Sequence, residues 1–370
     1  MVLRFPALRG GWIAAALLAV FSPGCGANSA DGASPPAAAP AAAAPPAAAP
    51  AAAPAPTAEA DRNSTLIWVT IAAYPQEFVD KKAEYDPFLH YVAQHMSAYG
   101  IKDVKLVIAE GTQGPSTVAK WMRDGKVDYF DESPFSAYIE NQLTGADEPY
   151  LNRWKYGSEK FTGVIFSKAQ GGAKSLDDLK GKTIVLKDPT STANYFLPKA
   201  FLLSKGYKPV EKKSLTDPVA PDEIGYWFNN HSRDREIEAV MDGKAAGGGV
   251  SNEFIEKLLS QGADSAAQAR HPRPGVPQTK PEDLRILGRT DVALRRLLTV
   301  RKALDPRVKA AVKELLLNMN KTPDGQAILK TYGPSTQFSN ADTPETAYVG
   351  IRDQPKKLLD EEIAKFKALM

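Results

Sequence analysis

Three hydroxyl side chains stand in a row at Thr190, Ser191 and Thr192, within the stretch DPTSTANYFLP at 188–198. The apolar run before it reads as a strand and the run after it as a helix. The hydroxyls therefore fall where a helix presents its first N–H groups, which have no partner within the helix. Two chemistries suit such a place. Ser or Thr can cap the helix by accepting one of those N–H groups. Alternatively, N–H groups and hydroxyls together can cradle a small anion, favoured by the positive end of the helix dipole. Pro198 fits either reading, because a proline near a helix start forfeits no intrahelical bond.

Other chemistries find little support. The chain has four histidines, and His90, His95, His231 and His271 are dispersed along it. Its single cysteine, Cys25, precedes the segment expected to fold. No His-Glu-x-x-His, Walker or Gly-x-Ser-x-Gly sequence occurs, so neither an enzyme nor a metal or cofactor protein is expected. A net charge of +3 over 370 residues, with Lys and Arg spread throughout, gives no footprint for nucleic acid.

The elements that must position the hydroxyl-rich turn begin after a different kind of segment. Arg4 and Arg9 precede an apolar run over 12–21, and Ser22-Pro23-Gly24-Cys25 follows. That is the layout of a secretory signal, and the run is about half the ~20 residues a membrane span needs. Residues 1–25 are read as this signal. The setting of Cys25 resembles a bacterial lipobox, so a lipid thioether there is expected to anchor the exported chain. The alternative is cleavage near Ala30, with Cys25 discarded. The stretch 27–56 is almost entirely Ala and Pro and cannot build a core, so residues 26–60 read as a semi-rigid tether.

Beyond the tether, STLIWVTIAA at 64–73 reads as a buried strand. A helix is expected with Asp86 as N-cap and Pro87 at its first position, burying Phe88, Leu89, Val92 and Met96. DVKLVIAE, STVAKWMRDGK and VDYFD continue the alternation of strand and helix, the pattern of a parallel, doubly wound sheet. A second α/β run starts near Phe161. Helices are expected from the hydroxyl turn onward, over 233–241, over 305–319 and over 322–333. The fold class is α/β with two lobes, a ligand lying in the cleft between them.

In its motifs the sequence resembles the substrate-binding proteins of phosphonate, phosphite and phosphate ABC importers, from about residue 63 to 348. DPTSTANYFLP carries the likeness most strongly. YDPFLHYV, GKVDYFDESPFSAY, EAVMDGKAAGGGVSNEF and KTPDGQAILKTYG support it. The resemblance implies a type II periplasmic-binding-protein clamshell with two crossover strands as hinge, near 160–166 and 284–290. Residues 61–162 and 286–370 would form lobe one and 163–285 lobe two.

For the site, the resemblance places an oxyanion on Ser191 and Thr192, with Thr190 beside them and backbone N–H groups through Ala193 and Asn194. Ala193 departs from the family pattern, which carries a third hydroxyl there. His231 matches a ligand-contacting histidine, although in a polar loop it also reads as an ordinary surface residue. Glu253 matches an acid that holds the amine of aminoalkylphosphonates. A second such acid falls at Arg296, a reversal that would repel an ammonium. The anion-contacting tyrosine falls at Pro115, with Ser116 and Thr117 as replacement hydroxyls, and another tyrosine falls at Lys160. Asp131 and Glu132 either accept a proton or an amine in the cleft, or are solvated at a strand end.

The implied function is capture of a small phosphorus oxyanion outside the cytoplasm for an ABC permease, by a monomer on a lipid anchor. A tethered sensory module that feeds a receptor is the alternative.

Overall fold

The computed structural model describes residues 64–72, 75–230, 234–255 and 279–370. The signal, the tether, Cys25 and His231 lie outside them. Two six-stranded sheets organise the rest. The first contains β1 (Thr65–Ala72), β2 (Asp103–Glu110), β3 (Tyr129–Glu132), β4 (Asp147–Lys155), β11 (Leu297–Arg301) and β12 (Ser335–Asn340), in the order β12-β4-β11-β3-β1-β2. The second contains β5 (Lys160–Lys168), β6 (Lys182–Leu186), β7 (Lys208–Glu211), β8 (Glu223–Phe228), β9 (Gly247–Ser251) and β10 (Leu284–Leu294), in the order β10-β5-β9-β6-β8-β7. Strands β1 to β3 are parallel, as are β6 to β9, but β4, β11 and β12 join one sheet antiparallel and β5 and β10 the other. The class is the expected α/β clamshell, with mixed rather than wholly parallel sheets.

Helix α1 (Pro75–Met96) corrects the expected start at Pro87, which lies inside it. An interior proline costs about 3 kcal/mol. The turns before it carry Lys81 and Tyr85, both buried, whose polar ends reach Thr70 and Asp131. Those tertiary contacts hold the helix through the proline, and a local rule could not see them. Helices α2 (Gly114–Arg123) and α3 (Pro134–Thr144) follow in lobe one. Helices α4 (Leu197–Ser204) and α5 (Asp234–Met241) belong to lobe two. Then come α6 (Pro306–Asn318), α7 (Pro323–Thr331), the short α8 (Pro344–Ala347) and α9 (Lys356–Lys367).

The chain passes between the sheets at 156–159 and again at 295–296. Residues 160–166 and 284–290, expected near the hinge, pair with one another within β5 and β10, the two strands that lead into and out of these crossings. Left-handed backbone at Tyr156 and Gly157 makes the first crossing (φ 57° and 75°). The second is two consecutive arginines, Arg295 and Arg296. Close by, Gly163 of β5 donates its N–H to Thr290 Oγ1 of β10 at 2.8 Å. A Cβ at Gly163 would lie 2.6 Å from the Ala193 carbonyl oxygen, so only glycine lets β5 pass this close to the hydroxyl turn. One apolar core runs across both lobes, joining Val69, Ile71 and Phe130 to Ile165, Leu186 and Phe196, and reaching Tyr348 and Phe366.

That core includes an acidic defect. Glu140 of α3 and Asp147 of β4 are fully buried, and neither Glu140 oxygen has a hydrogen-bond partner. Burial, then the neighbouring Asp147, raises the Glu140 pKa well above the ordinary 4.5. The folded state thus holds a proton that the unfolded chain releases. This contribution is full below the ordinary value and is lost as pH rises toward the raised one. Glu140→Gln, a neutral isostere, should leave the melting temperature near pH 4 almost unchanged and raise it near pH 9, by roughly 2–6 °C. Equal shifts at both pH values would contradict the assignment.

Candidate functional site

The hydroxyl-rich turn leaves the carboxyl end of β6 and enters a continuous helical run over 192–204. Its first five residues, Thr192–Phe196, are wound as a wider π-turn, with Phe196 N–H bonded to Ser191 O at 3.0 Å. Asp188 ties the turn down, accepting Thr190 N–H at 2.8 Å and the Thr190 hydroxyl at 2.5 Å. The Thr190 hydroxyl proton is therefore spent on the scaffold. Ser191 Oγ accepts Asn194 N–H at 3.2 Å, which makes Ser191 the N-cap. The Asn194 side-chain amide donates to Glu236 at 3.3 Å. What the turn retains for a ligand is the hydroxyl protons of Ser191 and Thr192 and the leading N–H groups of Thr192 and Ala193, which no helical carbonyl can reach. Cap and cradle prove compatible, since a capping oxygen accepts and its proton still donates.

Lobe one meets this turn directly. Phe135 N–H, at the start of α3, donates to Thr192 Oγ1 at 2.9 Å. Ser133 and Ser136 hydroxyls donate to the Thr190 carbonyl at 3.2 and 2.9 Å. The Phe135 and Phe196 rings stack at 4.2 Å. Two helix starts, one from each lobe, thus face one another across a closed cleft. The Ser-Pro-Phe-Ser run at 133–136 carries an N-cap and a first-position proline. Both are local signals legible in the sequence.

Beside Ser133 lies a buried ionic cluster. Arg296 donates to Asp131 Oδ1 at 3.0 Å and to Glu132 Oε1 at 2.7 Å. Arg153, fully buried, reaches Asp131 at 3.2 Å and Glu84 at 3.3 Å. Tyr85 and Tyr332 hydroxyls donate to the same Asp131 carboxylate. Burial pushes the Asp131 pKa up, but Arg153 and Arg296 outweigh it and hold the value at about 2. Glu132 is likewise held at about 2 against burial, by Arg296 and Lys81. Asp131 and Glu132 are thus buried and ion-paired rather than solvated at a strand end, which corrects that expectation. Lys81, Glu84, Tyr85, Arg153 and Tyr332 have no signature in sequence, since their partners lie up to 201 positions away.

The remaining expected residues separate. Glu253 pairs with Arg295 at 2.9 Å, so its carboxylate faces an arginine of the crossing. Ser116 is buried and donates its only proton to the Phe366 carbonyl at 2.6 Å, leaving none for an anion. Thr117 follows it on α2, half-buried, and Lys160 is exposed at the start of β5. Among the described residues no group of three or more His, Cys, Asp or Glu could hold a metal ion.

Helix α9 adds a second tie between the lobes. Its Glu362, fully buried, accepts from Lys199 at 2.5 Å and Tyr195 at 2.7 Å, both in the helical run of lobe two. Its Phe366 carbonyl takes the Ser116 hydroxyl of lobe one.

Two lobes, two crossings and a donor-bearing turn at their junction define a bilobal solute-binding protein. The chain belongs to the family of ABC-transporter phosphonate periplasmic substrate-binding proteins, whose model matches residues 71–346. This is a class of non-enzymatic proteins that act outside the cytoplasm, with a small ligand and an ABC permease as partners. The phosphate-import protein PhnD of Mycolicibacterium smegmatis is 24% identical over 253 residues, covering 67% of this chain and 70% of that one. In structure the chain is similar to XAC2383 from Xanthomonas citri bound to ATP, with TM-score 0.65 and 23% identity, over 82% of this chain and 98% of that one. It is also similar to PhnD1 from Prochlorococcus marinus in complex with methylphosphonate, with TM-score 0.56 and 14% identity, over 82% and 98%.

Proposed function

We propose that the protein captures a small phosphorus oxyanion (phosphate, phosphite or a phosphonate without an amine) at the 190–194 turn and delivers it to an ABC permease. The observation that carries this reading is the turn itself. Ser191 and Thr192 hydroxyls and the leading N–H groups stand at a helix start, where a tetrahedral anion gains charge-assisted bonds and a favourable dipole. The absence of an amine follows from the acids. Glu253 is neutralised by Arg295, and Asp131 and Glu132 by Arg153, Arg296 and Lys81, so none of these three carboxylates is left over for an ammonium. His231, three positions beyond β8 in sequence, would complete the anion contacts. The parts of the chain on either side of the crossings at 156–159 and 295–296 would move as the two lobes, and an anion bridging them favours closure by its extra contacts. A lipid on Cys25 and the tether would keep the monomer near the membrane.

The test is a thermal-shift panel on the purified piece from residue 61, with phosphate, phosphite, methylphosphonate, 2-aminoethylphosphonate, sulfate and ATP. A solute that binds only the folded state raises the melting temperature, by about 2.7 kcal/mol of stabilisation at a hundredfold excess over Kd. Phosphate, phosphite or methylphosphonate should stabilise most and 2-aminoethylphosphonate least. No shift with any phosphorus oxoacid would end the proposal.

A further inference from the structure

Glu132 is held in the way a bound anion is held. Its Oε1 accepts Ser133 N–H at 2.8 Å and Arg296 Nη1 at 2.7 Å. Its Oε2 accepts Ile71 N–H and the Thr70 hydroxyl, each at 3.2 Å, and Arg296 Nη2 at 3.3 Å, with the Lys81 ammonium at 3.7 Å. Two backbone N–H groups, one at the end of β1 and one at the cap of α3, converge there with a hydroxyl, a guanidinium and an ammonium. That is the donor set of an oxyanion site, and the side chain filling it comes from the chain itself. Its position matters. Ser133, whose N–H binds Glu132, gives its hydroxyl to Thr190 of the opposing lobe, so the carboxylate lies at the junction with the hydroxyl turn.

We infer that Glu132 is a resident anion: it occupies the oxyanion site of lobe one, keeps Arg296 as its own counter-ion, and so leaves the solute to be held by lobe two. Glu132 is on this account a specificity-determining residue that weakens binding of doubly charged solutes. Like charges brought to one junction repel in a partly buried setting, and the carboxylate withholds the donors that a phosphate oxygen would use. The inference rests on the anion-binding reading of the 190–194 turn given above.

Calorimetric titration with inorganic phosphate and with methylphosphonate tests it, on the natural protein, Glu132→Gln and the double variant Glu132→Gln/Arg296→Gln. Glu132→Gln keeps shape and an acceptor oxygen but removes the charge. It should bind phosphate at least about tenfold more tightly than the natural protein, the gain shrinking as salt is raised. The gain should vanish in the double variant, because freed Arg296 supplies it. If Glu132→Gln does not fold, Glu132→Ser, which clears the carboxylate, gives the same readout. A folded variant whose affinity is unchanged or weaker overturns the resident anion, while binding by the natural protein keeps the turn reading intact. Binding by Glu132→Gln alone supports the resident anion and removes the natural protein from the oxyanion binders. Silence from every variant overturns both.

Discussion

Replacing Glu362 by alanine should lower stability by about 3–5 kcal/mol, the usual cost of stripping one partner from a buried ion pair. The melting temperature should fall by roughly 5–15 °C. Glu362 is fully buried, and Lys199, which it neutralises at 2.5 Å, is only 7% exposed. Removing the carboxylate strands an ammonium and the Tyr195 hydroxyl where water does not reach. Because Lys199 belongs to lobe two and Phe366 of the same α9 helix holds Ser116 of lobe one, the damage should also loosen the junction. Small-angle scattering should record a larger radius of gyration for Glu362→Ala. Glu362→Leu combined with Lys199→Met should recover most of the lost stability, since apolar replacement of a whole pair is often near neutral. A loss below about 1 kcal/mol for Glu362→Ala would show that the pair is not formed in solution.

The second large effect concerns the turn. Ser191→Ala together with Thr192→Ala should weaken binding of the best anion in the panel by at least tenfold, each lost charge-assisted bond contributing about 1.5–3 kcal/mol. Two structural costs accompany this change and are separable from it. Ser191 caps Asn194 N–H, and Thr192 receives Phe135 N–H from lobe one. Loss of the cap costs about 1 kcal/mol of stability, which a melting curve without ligand would record. Thr192→Ser keeps both the acceptor and the donor, so it should retain affinity. Unchanged affinity in the double alanine variant would place the anion elsewhere.

What the sequence discloses here follows the range of each interaction. The hydroxyl turn is legible because its cap, its tether to Asp188 and its proline all lie within eleven residues. β1 is legible from its run of β-branched and aromatic residues, most of them buried where it lies between β3 and β2. The start of α1 is not, because Pro87 and Asp86 imitate a helix start while Lys81 and Tyr85 answer to distant partners. The fates of Asp131, Glu132 and Glu253 are decided by arginines 165, 164 and 42 positions away, so their charge could be counted but not assigned. Arg296 shows this most plainly. The reversed charge at that position is legible, but not that the carboxylates of β3 already hold it.

The bare backbone of Gly163 has a mechanical meaning. One strand of the crossing region rests against the Ala193 carbonyl with no side chain between, and bonds its companion strand at Thr290. On the proposed reading, whatever shifts that carbonyl would be felt directly by β5 and β10, the strands that lead into and out of the crossings. Turn and crossing strands touch there, so occupancy of the turn would need no relay to become movement.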